Sequence, residues 1–370
     1  MPGLDVIQEA GRQLVICNAC RYCEGYCPVF HAIETRRDFQ QGDVFYLSNL
    51  CHDCRACYYA CMFTPPHEFA INIPQILAES RIETYRRWSW PAFLGRAFKN
   101  RSVTVFLASG MAALVAILAL LFIPSENLFA AHLGSGAFYE VVPYLAMVAG
   151  ALILFFYGIA VWLRGGARFW SDTSGALKER GDWKSLAAAA GAALGLRYLK
   201  GGGPGCYYPD GRPSSVRRVY HMLTFWGFAG DFVSTALAFV YQDIFHILPP
   251  YSLTSAPVIF GGVGGVALIL GTSGLIYYKL QSDRQPVAPA ASGMDYVFLV
   301  TLGLTALTGM LTLLLRSTAA MGSILVLHLA CIAALFISAP YGKFVHAVYR
   351  TLAVIRYEME QIQPHGTAGH

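Results

Sequence analysis

Charged side chains are scarce in this sequence, and their scarcity argues against an ordinary soluble chain. Only 13% of the 370 residues are Asp, Glu, Lys or Arg and 55% are hydrophobic, whereas soluble proteins carry roughly 25% charged residues. From Val103 to Ile123 there is no charge, over more than the ~18 apolar residues that mark a membrane span. That stretch lies too far into the chain to be a signal peptide, and nothing at the N-terminus resembles one.

The motifs of enzymes that transform organic substrates are also missing. The glycine-rich segment GGGPGCYYPDGRPSS (201–215) has no Walker spacing, and it neither follows a strand nor opens a dinucleotide-binding unit. No flavin or nicotinamide site, Ser/His/Asp constellation or metal-hydrolase constellation can be recognised. We therefore expect that the chain itself does not transform an organic substrate.

Six hydrophobic segments have the length of a membrane span, and the charges beside them give an orientation. The expected spans are 103–123, 141–163, 218–241, 257–280, 295–315 and 320–349. Of the 27 Lys and Arg residues, only Arg316 falls on the side opposite to the termini. The positive-inside rule then predicts that both termini are cytoplasmic. The formal net charge of +5 is explained by this topology and does not indicate nucleic-acid binding.

Eight of the ten cysteines repeat one spacing, C-x₂-C-x₂-C-x₃-C. The first run is Cys17, Cys20, Cys23 and Cys27, followed by Pro28, and the second is Cys51, Cys54, Cys57 and Cys61, followed by Met62. In bacterial ferredoxins three thiolates of such a run bind one [4Fe–4S] cluster and the fourth binds the other cluster. The predicted ligand sets are Cys17, Cys20, Cys23 and Cys61 for one cluster and Cys51, Cys54, Cys57 and Cys27 for the second. Structural zinc usually takes paired ligands and disulfides are disfavoured in the cytoplasm, so both are weaker alternatives.

Histidines inside predicted spans are costly and are therefore candidates for function. A haem in a helical bundle needs axial ligands from facing helices at similar depth. His221 and His346 both lie near the cytoplasmic end of their spans, which predicts one haem b between them; interfacial histidines that contact headgroups or each other are the alternative. His328 and, with a poorer match in depth, His246 are candidates for a second haem. Asp231 is a candidate for proton transfer to a quinone, or for a hydrogen bond to a neighbouring helix or a haem propionate.

The sequence therefore predicts a mainly α protein. Residues 1–101 are expected to form a cytoplasmic, ferredoxin-like α-helical domain with two [4Fe–4S] clusters and a connecting helix. Residues 102–350 are expected to form a six-helix transmembrane bundle of cytochrome b type, followed by a cytoplasmic tail, 351–370. Trp88 and Trp90 suit the aromatic belt of a membrane interface. We interpret the remaining candidates as structural or surface groups: His31, His52 and His67 near the clusters, Cys206, Cys331, and the glycines of GGVGGVALILGTSGL (261–275), which permit close helix packing.

Three segments, together with the cysteine runs, resemble the CitB family, which includes the tricarballylate-utilization B proteins. They are TPPHEFAINIPQILAESR (64–81), GCYYPDGRPSSVRRVYH (205–221) and PYGKFVHAVYR (340–350). The last also resembles the end of the membrane cytochrome b subunit of respiratory nitrate reductases. The resemblance implies a partner, a soluble FAD-dependent dehydrogenase that oxidises tricarballylate or a related polycarboxylate, and a bacterial inner membrane. It carries over the eight cysteines and, less securely, the membrane histidines; Met62 departs from the ferredoxin run but removes no ligand.

These features favour electron transfer from a partner flavin, through two clusters and haem b, to the membrane quinone. The chain is then one component of a flavoprotein:quinone oxidoreductase system. Three alternatives come from other classes: a membrane-bound iron–sulfur redox sensor, a thiol or heterodisulfide-type reductase subunit, and a transporter energised by electron flow. A haem argues against the sensor. The reductase would need a further Cys-rich domain or a Cys–Cys–Gly motif, and the transporter would need a substrate-binding charge cluster; the sequence has none of these.

Overall fold

The N-terminal part folds into six helices around the cysteine runs. A computed structural model describes residues 2–98, 101–173, 183–201 and 205–362. The helices of this part are α1 (Pro2–Cys20), α2 (Pro28–Glu34), α3 (Gln41–Leu50), α4 (Ala56–Ala60), α5 (Ile73–Trp88) and α6 (Ala92–Ala97). Pro28 and Pro74 lie in the first turns of α2 and α5, where a missing backbone N–H costs no hydrogen bond. Asn72 caps α5 by accepting a hydrogen bond from the Gln75 amide.

Further helices and one short ladder follow. They are α7 (Arg101–Phe122), α8 (Ser125–Phe129), α9 (Ala137–Val141), α10 (Tyr144–Thr173), α11 (Trp183–Leu194), β1 (Cys206–Tyr207), β2 (Pro213–Ser214), α12 (Val216–Asp243), α13 (Ala256–Gln281), α14 (Pro289–Leu315), α15 (Met321–Ser338) and α16 (His346–Ile362). Two 3₁₀ turns, Arg197–Lys200 and Lys343–Val345, precede β1 and α16. The antiparallel pair β1–β2 aligns Cys206 with Ser214. The prediction of a mainly α protein is confirmed.

Six of these helices are long and apolar enough to cross a membrane: α7, α10, α12, α13, α14 and α15. The six helices agree in number and order with the six hydrophobic segments of the sequence, so the prediction of six apolar helices is confirmed. The cytochrome b type of the bundle stays a prediction, because it depends on a bound haem.

The last predicted span is interrupted in the structure. Helix α15 ends at Ser338, and the chain passes through Pro340 and a 3₁₀ turn before α16 begins at His346. Proline has no backbone N–H and clashes with the preceding helical turn, so the helix stops there. Helix α16 then includes residues 351–362 of the predicted tail, and residues 363–370 lie outside the described part of the chain.

Helix α16 packs into the N-terminal helices, so the cysteine domain and the end of the chain share one core. Trp88, at the end of α5, lies beside Phe169 of α10 and Tyr349 of α16, with ring centres 5.3 and 5.0 Å away. Its side chain is only 2% exposed. The expectation that Trp88 belongs to an interfacial belt is therefore wrong, whereas Trp90 is 45% exposed and stays a candidate for one.

Glu360 attaches the far end of α16 to the cysteine domain. Its carboxylate accepts hydrogen bonds from Arg36 at 2.7 Å, from Arg356 at 3.0 Å and from the Tyr46 hydroxyl at 3.1 Å. The four side chains are at most 13% exposed. These are therefore charge-assisted hydrogen bonds in largely desolvated surroundings, which contribute more than exposed surface ion pairs.

Helices α12 and α13 meet along glycines. A Cβ atom on Gly227 would lie 2.9 Å from the Gly264 carbonyl oxygen, and one on Gly271 would lie 2.6 Å from the Thr224 amide nitrogen. Side-chain carbons do not approach backbone atoms so closely, so the two helices reach this separation only because these positions carry no side chain. The prediction that the glycines of 261–275 permit close helix packing is confirmed.

The substitution Gly227→Ala is expected to force α12 and α13 apart and to destabilise the protein by roughly 1–3 kcal/mol, the usual cost of overpacking. Gly262→Ala on α13 is the matched control, because nothing lies within 4 Å of a Cβ atom there and alanine favours a helix. Thermal unfolding in detergent, followed by circular dichroism, compares the two variants. Equal unfolding temperatures would contradict the glycine contact.

The segment between α7 and α10 contains a histidine with both ring nitrogens engaged. His132 contacts the Glu140 carboxylate through Nδ1 at 2.5 Å and the Asn127 carbonyl through Nε2 at 2.7 Å. Two acceptors favour the doubly protonated ring. The Asn127 carbonyl, followed by Glu140, therefore raises the pKa of His132 above its ordinary value.

Because the pKa of His132 is raised in the folded protein, protonation stabilises the fold. This contribution is complete below the unfolded pKa of about 6.5 and is lost as the pH rises through the folded pKa. The difference in unfolding temperature between the wild type and His132→Gln is therefore expected to be larger at pH 5.5 than at pH 9. A difference that does not change with pH would rule out the protonated contact.

Candidate functional site

The first cavity lies at the C-terminal end of α1 and opens to solvent. The thiols that line it are Cys17, Cys20, Cys23 and Cys61. Arg21 adopts the left-handed conformation, with φ at 54°, and turns the chain sharply after the helix. Cys20 is exposed, and Tyr22 and Met62 beside the cavity are 58% and 68% exposed. This site is therefore accessible from solvent.

The second cavity lies deeper. The thiols that line it are Cys27, Cys51, Cys54 and Cys57. Asp53 and Arg55 both have positive φ, 52° and 63°, so this short loop curls and turns its thiols to one side. Cys27 belongs to the first run, but it lines this cavity. It immediately precedes α2, which begins at Pro28. Leu50, Pro74 and Tyr198 complete the wall.

Each cavity thus gathers three cysteines of one run and the fourth of the other, which is the grouping that the crossed ligand sets require. Four cysteine thiols in each cavity match the donor set of a [4Fe–4S] cluster. Burial, followed by neighbouring thiolates, raises the pKa of Cys17, Cys23 and Cys27 to about 12. Thiolates in these cavities therefore need the positive charge of a metal group beside them.

The other histidines near the cysteine runs have protein partners. His31 is hydrogen-bonded to the Tyr357 hydroxyl at 3.1 Å, His52 donates to the Leu50 carbonyl at 2.7 Å, and His67 accepts from the Phe69 amide at 3.1 Å. These contacts agree with our interpretation that none of the three is a cluster ligand.

His221 and His346 lie face to edge, with ring centres 6.3 Å apart and ring planes at 90°. His346 donates from Nδ1 to the Lys343 carbonyl at 2.6 Å, which leaves Nε2 available as a ligand. Nδ1 of His221 is buried without a hydrogen-bond partner. A metal ion between two imidazoles, with metal–nitrogen bonds of about 2.0–2.1 Å, requires ring centres about 6 Å apart. The pair therefore has the separation of two axial ligands.

The structure does not bring the other two histidines together. His246 follows α12, is exposed and has φ at 56°. His328 of α15 is hydrogen-bonded through Nδ1 to the Thr308 hydroxyl at 3.1 Å and lies against Gly309 of α14. No ring contact joins the two histidines, both of which are in the described chain.

Asp231 lies at the contact between α12 and α13, away from the histidine pair. Its Oδ1 is 2.6 Å from the position that a Cβ atom on Gly264 would take. Along α12 it is about 15 Å from His221. The candidate proton-transfer group and the candidate haem ligands are therefore separate sites.

Three arginines connect the second cysteine run to other helices. Arg217 of α12 donates to the Asp53 carbonyl at 2.9 Å. Arg350 of α16 and Arg81 of α5 both donate to the Cys51 carbonyl, at 2.8 and 2.6 Å. Since Arg217 and Arg350 are each one helical turn from a histidine of the pair, the second cavity and the pair are held next to each other.

The functional role of these arginines was not predicted from the sequence, where they counted only as topological charge. A signal was present. VRRVYH (216–221) and HAVYR (346–350) each contain an arginine four residues from the histidine. On a helix this spacing puts the two side chains on the same face.

Segments between the membrane helices cover the second cavity. Tyr208, next to β1, donates to the Asp53 carboxylate at 2.8 Å, and the Arg55 guanidinium lies 3.8 Å from the Tyr208 ring centre. Although burial acts in the other direction, Arg55 helps to hold the pKa of Asp53 below its ordinary value. Asp283, between α13 and α14, accepts a hydrogen bond from the Tyr59 hydroxyl at 3.0 Å. Residues far apart in the sequence therefore build this site.

An α-helical domain with two cysteine runs, followed by six apolar helices of membrane-spanning length, defines the class of protein: a Fer4-like domain joined to a helical part compatible with a membrane. The chain belongs to the citrate utilization protein B family. The family's Fer4-like domain matches residues 10–87, and citrate utilization protein B matches residues 96–367. Citrate utilization protein B of Escherichia coli is 38% identical over 356 residues, which cover 95% of this chain and 92% of that protein. No solved structure matches. The family resemblance is thereby confirmed, and the Fer4-like domain indicates an iron–sulfur electron-transfer role.

Paired substitutions distinguish crossed ligation from ligation within a run. If the ligand sets follow the cavities, Cys57→Ser with Cys61→Ser damages both sets, and both metal groups are expected to be lost. Cys57→Ser with Cys27→Ser damages one set twice, and about half of the iron is expected to remain. Iron per chain, measured on anaerobically purified protein, separates the two schemes, because ligation within runs predicts the opposite order. Cys206→Ser is the control, since this thiol donates to the Leu199 carbonyl and lines neither cavity.

Proposed function

We propose that this protein is a membrane-anchored electron-transfer protein. It reoxidises the reduced flavin of a soluble FAD-dependent dehydrogenase that acts on citrate or a tricarballylate-type polycarboxylate, and it passes the electrons to the membrane quinone. It is thus the electron-transfer component of a flavoprotein:quinone oxidoreductase system. The name of its relative, citrate utilization protein B, supports the link to a tricarboxylate. The distribution of Lys and Arg supports a bacterial inner-membrane location with cytoplasmic termini.

The observation that carries this proposal is a series of neighbouring sites that leads from solvent to the long apolar helices. The first cavity opens to solvent at Cys20, and the second lies behind it and shares the first run through Cys27. Backbone hydrogen bonds from Arg217 and Arg350 then connect the second cavity to the histidine pair. [4Fe–4S] clusters in the two cavities and a haem b at the pair would supply one-electron carriers.

The chain's own residues have distinct proposed roles. The two cysteine sets hold the clusters, and His221 and His346 hold the haem, with His346 oriented by the carbonyl that accepts its Nδ1 proton. His328 and His246 stay candidates for a second haem on the basis of their positions along the spans alone. Asp231 is the candidate proton-transfer group for the quinone, since it is a carboxylate within a membrane-length helix.

Removal of either histidine of the pair tests the haem step. Wild-type protein, purified anaerobically in detergent and reduced with dithionite, is expected to show a b-type α-band and coupled [4Fe–4S] signals by electron paramagnetic resonance. His221→Ala and His346→Ala are expected to lose the α-band, to retain the cluster signals and to reduce decylubiquinone at least roughly tenfold more slowly. His67→Ala is the control that retains all three, because this ring is bonded to the Phe69 amide.

Three other results would each contradict a different part of this proposal. Clusters without a b-type band in the wild type would overturn the histidine assignment and leave the iron–sulfur assignment intact. Zinc in place of iron would overturn electron transfer altogether. A protein that contains both groups but does not reduce the quinone analogue would instead be a redox sensor.

A further inference from the structure

A group of positive charges lies beside the histidine pair without enough carboxylates to balance it. Asp295 of α14 is shared by Lys279 at 2.7 Å and Lys343 at 2.6 Å. Arg81 and Arg350 share one backbone carbonyl as acceptor, and neither forms an ion pair with any carboxylate of the described chain. Asp295 therefore balances only one of the two lysines, while the two arginines adjoin the thiols of the second cavity. Because uncompensated charge is costly in a poorly solvated site, the surplus lysine charge beside His346 favours a bound anion.

Buried polar atoms around the same segment also lack partners. These are the Tyr85 hydroxyl, Nε1 of Trp162 and Nδ1 of His221. The Tyr85 ring packs against Tyr349 with centres 5.7 Å apart, and the Trp162 ring is stacked on Phe344 at 5.4 Å. Both unpartnered side chains thus adjoin the segment that leads into α16. Buried polar groups are nearly always hydrogen-bonded in native proteins, so these atoms and the excess positive charge point to the same missing partner.

The position of Lys343 and Arg350 beside His346 indicates what kind of anion would bind. The Lys343 carbonyl accepts the proton of His346 Nδ1 at 2.6 Å, and Arg350 follows one helical turn later. An acidic substituent on a group ligated by His346 therefore comes within reach of both cations. We propose that Lys343, Arg350 and the Tyr85 hydroxyl form a carboxylate-binding pocket. It binds the two propionates of a haem b held by the histidine pair, and this inference rests on the haem assignment of the proposed function.

The three side chains contribute in different ways. Arg350 uses Nε and Nη2 on backbone carbonyls of residues 49 and 51, which fixes the guanidinium plane and leaves Nη1 for a ligand. Lys343 has three N–H donors and uses one on Asp295. Tyr85 is 4% exposed, and burial raises the pKa of its hydroxyl, so it keeps its proton and can donate.

Lys279 provides a matched control for Lys343. Both ammonium groups bind the same carboxylate, at 2.7 and 2.6 Å. Lys279 lies on α13 with its ammonium 5.8 Å from the Tyr296 ring centre, whereas Lys343 adjoins His346. Replacement of either lysine by glutamine removes one charge from Asp295, but only Lys343→Gln changes the proposed pocket.

The test compares two ligands that differ only in their carboxylates. Full-length protein from haem-deficient cells is titrated with hemin and with hemin dimethyl ester, and binding is followed by the Soret band. Wild type is expected to bind hemin roughly ten- to hundredfold more tightly than the ester, because only the free acid accepts charge-assisted hydrogen bonds. In Lys343→Gln with Arg350→Gln this preference is expected to fall below about threefold, whereas Lys279→Gln is expected to retain it.

Iron per chain is measured in every variant, because Arg350 also binds the second cysteine run. Should the double variant lose iron, Lys343→Gln alone decides the question, since it leaves that run untouched and is expected to lose part of the preference. Equal affinity for hemin and its ester in the wild type, or an unchanged preference in Lys343→Gln, would overturn the pocket and leave the histidine ligation standing. Binding of neither compound would overturn the pocket and the haem step together, while the iron content would report separately on the cysteine sites.

Discussion

The hydrogen bonds to the Cys51 carbonyl join the two halves of this protein. Arg81 reaches this oxygen from the cysteine domain at 2.6 Å, and Arg350 reaches it from the last helix at 2.8 Å. The shared carbonyl places its negative end between the two guanidinium groups and so reduces their repulsion. Arg217 binds the next part of the same loop from α12. The spacing between the second cavity and the histidine pair is therefore set by backbone acceptors, which substitutions in the loop leave in place.

The sequence predicts those features that depend on neighbours along the chain. The spacing of the eight cysteines predicts the crossed sets. In the structure, Cys27 precedes α2 and lies with the thiols of the second run. The apolar runs give the six long helices, because length and composition alone decide whether a helix can cross a bilayer. The break near Pro340 is also a local effect, and its physical cause is present in the sequence.

Other features depend on contacts between distant segments. Trp88 has the residue type and the sequence position of an interfacial residue, but Phe169 and Tyr349 bury it. The histidine pair could be predicted because membrane depth can be counted along each span, whereas the cover of Tyr208 and Asp283 over the second run could not. These residues lie in connecting segments that have no periodic pattern. Arg217 and Arg350 could be predicted only in part. Their spacing from the two histidines can be read from the sequence, but their carbonyl partners cannot.

Because late segments cover the second cavity, the residues of the two cavities become available at different stages of translation. The first cavity is lined within residues 16–71, so all of its lining residues are synthesised before the first of the six long helices. Tyr208, Asp283 and Arg350 are synthesised only after two, four and six of the long helices, respectively. The second cavity acquires its final surroundings only when synthesis of the chain is nearly complete.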